Sequence, residues 1–449
     1  MTGGSVPLDK STESPVPSTA WACVALAAVA MVPFAAGLEV PVMAKRSFFL
    51  TPFDPLVWLA AGWLLLAWWR KGVLRARLWD HVLATGPALV LLGWAVFSAL
   101  WADFSRPQSR LLYGKATIQW IEYLGLGVLV FRALLADEKW RRWAVEVLCL
   151  VGVSTVASVL YTSWLSPEGL PYAAKGWLLN RNTYGLFLVF WGPVLLSHRT
   201  LPHRISLGTQ GVAALILVLL GFLLCWAGGP FLGACVACTA TLAGVAKRAA
   251  VPVFLALLMA LLILSPRQLE ILVDSVQVYV HWRDPETGAV TREHTMRYYR
   301  WSADLEMLVD HPWLGVGLEQ YGRRIHEYYG GIRLPAGRTD QPAFYNVKTE
   351  EPLSFGWFFL VAGELGLVGA AILLWIFSDL ARSAVERVRE GAFGGHAVLG
   401  ILGGLALAGW FANPMVRGVG GALAFALALA WSKRSCGASG ASRSSASGA

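Results

Sequence analysis

Twelve apolar runs, most of them close to the length of a membrane-crossing helix, constrain this chain more than any other feature. They lie near residues 20–38, 52–69, 82–101, 116–135, 143–164, 182–197, 207–227, 229–246, 250–265, 355–378, 396–413 and 417–432. A helix needs about 20 predominantly apolar residues to cross the hydrocarbon. The runs therefore predict an all-α polytopic membrane protein with about 12 transmembrane helices. Several runs are short, and one or two suit re-entrant segments better than full crossings. Of the 449 residues, 56% are hydrophobic and 14% charged, against about a quarter charged in soluble chains. The 22 Trp fit a protein with two membrane–water interfaces, where an apolar ring with a polar N–H is at home.

The first run, from Trp21, exceeds the roughly 7–15 apolar residues of a signal-peptide core and predicts a retained helix. A net charge of +9 would point to nucleic acid in a soluble chain; here the basic residues sort by loop instead. With the N-terminus in the cytoplasm, the inner segments hold Arg70, Lys71, Arg75, Arg77, Arg132, Lys139, Arg141, Arg142, Arg199, Arg204, Lys247, Arg248, Arg382, Arg387, Arg389, Lys433 and Arg434. The short outer segments hold far fewer, so both termini are expected inside. Residues 1–19 and 433–449 are low-complexity tails around membrane segments 20–265 and 355–432. One long segment, 266–354, is expected outside the cytoplasm. The six cysteines avoid that loop, so no disulfide framework is implied. Cys235 and Cys238, within an apolar run, suit small packing residues.

The long loop is rich in Arg, His and aromatic residues. Its segment His294–Val309 predicts an amphipathic helix, with Trp301, Leu305, Leu308 and Val309 at helical spacing. Pro312 and the turn Gly315-Val316-Gly317 should stop it. A second helix is predicted from Leu318 to Tyr329, with Leu318, Tyr321, Ile325 and Tyr328 on its apolar face. The Gly315-Val316-Gly317-Leu318 stretch lacks the third glycine and the preceding strand of a dinucleotide fingerprint, which excludes that site. Arg297, Arg300, Arg323 and Arg324 sit on the two helices beside a membrane surface. Guanidinium forks match phosphate oxygens two at a time, so a polyprenyl diphosphate fits them; lipid headgroups or surface carboxylates would use the same chemistry.

Three segments resemble the superfamily of bacterial O-antigen ligases and O-antigen or exopolysaccharide polymerases. They are Gly176–Gly185, containing Asn180-Arg181-Asn182; Arg297–Trp301 followed by Asp310-His311-Pro312-Trp313-Leu314-Gly315-Val316-Gly317; and Glu364-Leu365-Gly366-Leu367-Val368-Gly369. The resemblance implies a multi-pass enzyme of the bacterial inner membrane. It would transfer a glycan from an undecaprenyl-diphosphate donor to a hydroxyl of a glycan, lipid or protein acceptor, with membrane lipids around it and no nucleotide sugar, metal, other cofactor or nucleic acid. It assigns the departing diphosphate to arginines, with Arg181 and Arg297 the closest matches and Arg300, Arg323 and Arg324 beside them. Asn180, Asn182 and Trp301 are the glycan-binding candidates, although the two asparagines equally suit helix caps.

Members of that superfamily carry a His-Asn pair at the end of the loop, and that histidine is the usual catalytic candidate. Here the corresponding residues, Phe355 to Trp357, contain no histidine. Glu351, then Glu350 or His326, with His294 also near, are the candidate bases for the acceptor hydroxyl; each also suits a solvated loop position. Two other functions stay open: transport of a lipid-linked glycan, and a non-catalytic place in a polysaccharide assembly complex. Transporters place ionisable groups near the bilayer midplane, where this chain offers chiefly Glu122, Glu146 and Glu364.

Overall fold

The computed structural model describes residues 16–34, 38–43, 46–105, 107–165, 178, 181–199, 209–225, 227–245, 250–264, 269, 273, 279–283, 290–294, 296–329, 356–392, 394–415 and 419–432. Each apolar run of the sequence contains a helix among its described residues. Among the described residues five helices are long and apolar enough to cross a membrane: Leu74–Leu100, Tyr113–Ala136, Glu138–Ser163, Gly228–Val245 and Trp357–Arg389. Thr19–Ala30, Val212–Leu223, Gly395–Ala408 and Gly420–Trp431 are shorter apolar helices. The chain is thus a helical membrane protein. Among the described residues two antiparallel strand pairs accompany the helices, Leu38–Met43 with Arg46–Leu50 and Tyr279–Arg283 with Val290–His294.

Small residues set the helix packing. A Cβ on Gly404 would stand 2.6 Å from the Gly233 carbonyl oxygen, and one on Gly400 would stand 2.1 Å from Thr241 Oγ1. The helices Gly228–Val245 and Gly395–Ala408 therefore touch backbone to backbone, the usual way membrane helices gain contact when lipid supplies no hydrophobic drive. Cys238 is buried against Gly192 on the same principle, and both Cys235 and Cys238 are free thiols in the core.

The helix Trp357–Arg389 is broken at Gly366, whose φ of 67° and ψ of −169° belong to neither helix nor strand. In a straight helix Phe358 and Phe377 would be about 28 Å apart. Their ring centroids are 5.9 Å apart, and the Trp357 and Phe377 rings 6.1 Å. The chain accordingly folds back at Gly366. A short arm, Trp357 to Leu365, lies against the helix that follows, and the first backbone amide of the arm donates to the Gly409 carbonyl at 2.7 Å. Residues 367–389 alone reach about 34 Å, enough for a 30 Å hydrocarbon layer. The apolar run 355–378 thus contains a fold-back.

The loop helix spans Met296–Asp310, starting two residues later than the periodicity predicts because strand Val290–His294 occupies the preceding residues. Its buried face also differs from the predicted one. Ala303, Asp304 and Met307 are buried, whereas Leu305 and Val309 are exposed. Ala303 and Met307 are in one cluster with Val316, Tyr321 and Ile325, and Met307 Sδ lies 3.3 Å from the position of a Gly363 Cβ. The small Ala303 and the Asp304 bonded to Tyr321 let the helix approach the arm more closely than a Leu305 face would. Of the predicted second helix, the four residues Tyr321–Arg324 are α-helical and Ile325–Tyr329 form a 3-10 turn. Leu318, Tyr321 and Ile325 are buried as their spacing predicts.

Candidate functional site

Two of the segments that carry the resemblance, some fifty residues apart in sequence, meet at the fold-back. Beyond Pro312 the chain runs along the break in the membrane helix. The amide of Val316 donates to the Gly363 carbonyl at 2.9 Å and that of Gly317 to the Glu364 carbonyl at 2.8 Å. In return Leu367 N–H donates to the Pro312 carbonyl at 2.7 Å and Val368 N–H to that of Trp313 at 3.4 Å. A helix broken at one residue loses the partners of several backbone groups, and buried amides without partners are costly. Here the loop supplies those partners. The glycines permit it: a Cβ on Gly315 would sit 2.4 Å from the Glu364 carbonyl group, and one on Gly366 would sit 2.3 Å from the Trp313 oxygen. Gly315, Gly317 and Gly366 all have positive φ.

Side chains extend the clasp. Trp94 Nε1 donates to the Leu365 carbonyl at 3.0 Å, Trp101 Nε1 to that of Leu314 at 3.1 Å, and Leu318 N–H to Ser98 Oγ at 3.0 Å. The buried Glu364 carboxylate accepts from the amides of Glu319 and Tyr321, the latter at 3.4 Å. The Tyr321 hydroxyl donates to Asp304 on the loop helix, and both residues are buried. Glu319 is the only non-glycine residue with positive φ among those described, at 60°. Burial pushes its carboxyl up from the ordinary carboxylate range, and the Lys115 ammonium opposes that shift. Backbone strain at a polar, partly buried residue is a feature of functional sites.

The sequence-derived candidates distribute unevenly around this junction. Trp301 packs on Phe359 of the arm and on Phe411, with ring centroids 5.7 and 6.1 Å away. Its indole N–H is buried with no partner among the described residues. Arg297 and Arg300 lie within the preceding turn of the same helix, though their side chains lie outside the described residues. Arg324 forms a surface ion pair with Glu327 at 3.4 Å. Arg323 and His326 belong to the short helix and the 3-10 turn, and their side chains also lie outside the described residues. Arg181 opens the helix Arg181–Arg199, followed by the half-buried Asn182; the Arg181 side chain, Asn180, Glu350 and Glu351 lie outside the described residues. His294 ends a strand, opposite Tyr279. Among the described residues no cluster of three His, Cys, Asp or Glu is placed to hold a metal ion.

Ser98, Trp94, Trp101 and Glu319 have no counterpart among the residues that the sequence singles out. The one signal pointing to them is a Trp-rich end on the span Leu74–Leu100. No protein-family model matches the chain, and no curated protein does.

Proposed function

We propose that this chain is a membrane glycosyltransferase of the ligase or polymerase type, taking a glycan from a lipid diphosphate and joining it to an acceptor hydroxyl. The observation that carries the reading is the clasp: Asp310–Gly317 and Glu364–Gly369, two of the three segments with the resemblance, are hydrogen-bonded to each other across the fold-back. That contact holds the loop helix, with Arg297 and Arg300 in its first two turns, against the arm and Phe411. Cations held rigidly at a membrane surface suit the diphosphate that leaves with the lipid, whose charge grows as the glycosidic bond breaks. In this reading all twelve runs belong to the membrane domain of a bacterial inner-membrane protein, the termini are cytoplasmic, and the loop works on the opposite face.

A second reading rests on Glu122. It is buried in a π-helical segment, Ile121–Gly127, and accepts from the indole of Trp58. A carboxylate buried within a span, in a π segment, has the character of an ion or substrate pathway, and favours lipid-linked glycan transport. One reconstitution separates the two. With a lipid-diphosphate glycan donor in proteoliposomes, the enzyme forms a new glycosidic bond, and a transporter only moves the donor between leaflets. Arg297→Lys keeps the charge and loses the fork, so transfer should fall by about tenfold or more, the loss of one charge-assisted bond, at unchanged protein level. Wild-type transfer by Arg297→Ala would remove this helix from the donor site.

A further inference from the structure

The turn Pro312–Gly317 combines two properties that are opposed in a water-exposed loop. Its side chains are apolar and open: Trp313 is 67% exposed and Leu314 43%. Most of its carbonyls are closed by protein donors. Those of Pro312, Trp313 and Leu314 accept from Leu367 N–H, Val368 N–H and Trp101 Nε1, and the amides of Gly315, Val316 and Gly317 donate to His311, Gly363 and Glu364. Surface turns ordinarily leave carbonyls to water. Within hydrocarbon, non-helical backbone persists only where protein groups satisfy it.

The surroundings are an exposed apolar surface. Trp101 and Trp94 pack with Phe97 at ring distances of 5.5 and 5.7 Å, at the end of the span Leu74–Leu100. Leu100 is 73% exposed there, and Leu367, at the head of the membrane helix after the break, is 43% exposed. Indole rings with a bonded N–H and a bare apolar face are at home just below the headgroups. We propose that this turn is a membrane-inserted tip, with Trp313 and Leu314 among the acyl chains of the leaflet facing the long loop. The loop is then fastened to the bilayer at its middle as well as at its ends. This holds whether the protein is a transferase or a transporter.

Spin labels at Trp313→Cys and Leu314→Cys, in a background without the native cysteines and in liposomes, report the environment. Collisions with dissolved oxygen should be frequent and those with a water-soluble nickel chelate rare, while a label at Glu306→Cys should show the reverse. Frequent nickel collisions at Trp313 and Leu314 would place the tip in water and overturn the proposal; shielding from both probes would mean that protein covers it, and would overturn it equally. A measurement on the wild-type chain guards against misfolded variants. Phospholipid bearing a photoactivatable group on its acyl chain should give adducts on the peptide containing Trp313 and Leu314. Adducts on the span Leu74–Leu100 but none on that peptide would refute the insertion.

Discussion

Between the helices Gly228–Val245 and Gly395–Ala408, glycine removes bulk; at residues 315, 317 and 366 it supplies a conformation. In the first region every glycine is helical; Gly233, Gly400 and Gly404 meet backbone or short side chains, such as Gly233 against Ala408 and Gly404 against Ala237, and Gly229 and Gly244 make room for the Phe411 and His396 rings. Packing there is close and mostly apolar, and both stretches stay α-helical from end to end. In the second region the helix gives up bonds at Gly366 and takes them from a loop. Contact by small residues tolerates a slight shift of one helix along another. An exchange of backbone bonds fixes register, because each amide has one partner. The bundle is held by the first kind of contact and the stretch Asp310–Gly317 by the second, so the helix Met296–Asp310 inherits a defined position on the break.

That contrast sets the order of effects. Gly366→Ala should be the most damaging single change, since a left-handed, non-helical backbone and a 2.3 Å clash with the Trp313 oxygen act together. Strain and overpacking sum to a loss on the order of 4 kcal/mol, measured as reduced stability in mixed-micelle SDS titration. Gly404→Ala meets the Gly233 oxygen at 2.6 Å but keeps helical backbone, and should cost about 1–3 kcal/mol. Equal losses at the two sites would erase the distinction between them. Next comes Tyr321→Phe, which strips the hydroxyl from buried Asp304 and should cost about 1–3 kcal/mol without loosening the helices Gly228–Val245 and Gly395–Ala408.

The smallest effect depends on pH. Burial raises the Glu319 carboxyl above its unfolded value, with Lys115 opposing. Such a group binds more protons in the folded chain, so its contribution is best in acid. It is lost as pH rises from about 4.3, the unfolded value, through the folded one. Glu319→Gln removes that dependence. The melting temperature of the variant, relative to wild type, should therefore rise between about pH 4 and pH 8; a relative fall would mean that the Lys115 attraction outweighs burial.

Apolar periodicity makes the helices legible in the sequence, and Gly315 and Gly317 mark the turn there. The break at Gly366 is not legible, because Glu364–Gly369 sits in an unbroken apolar run and glycine is common in membrane helices. Only the partner segment, far away in sequence, makes a non-helical residue favourable there. The loop helix shows a similar limit. Its period reveals the element, but the buried face is set by Tyr321 binding Asp304 and by the close approach of Gly363, contacts that no local pattern encodes. Leu318–Gln320 reads as the start of a helix, yet Ser98 and Glu364 claim the amides of Leu318, Glu319 and Tyr321 and delay it to Tyr321. For the site itself, arginine spacing picks out the helix that carries the charge. It does not pick out Glu319 or Ser98, which matter through the fold-back alone.

Hydrogen exchange tests the clasp most directly. In wild-type protein in nanodiscs, the amides of peptides covering residues 312–321 and 361–369 should exchange slowly and open together, as one cooperative unit. Gly366→Ala should release both while the helix Gly228–Val245 stays protected. Fast exchange at 312–321 beside a protected 361–369 in the wild-type chain would contradict the account, because the loop would then have no fixed seat on the broken helix.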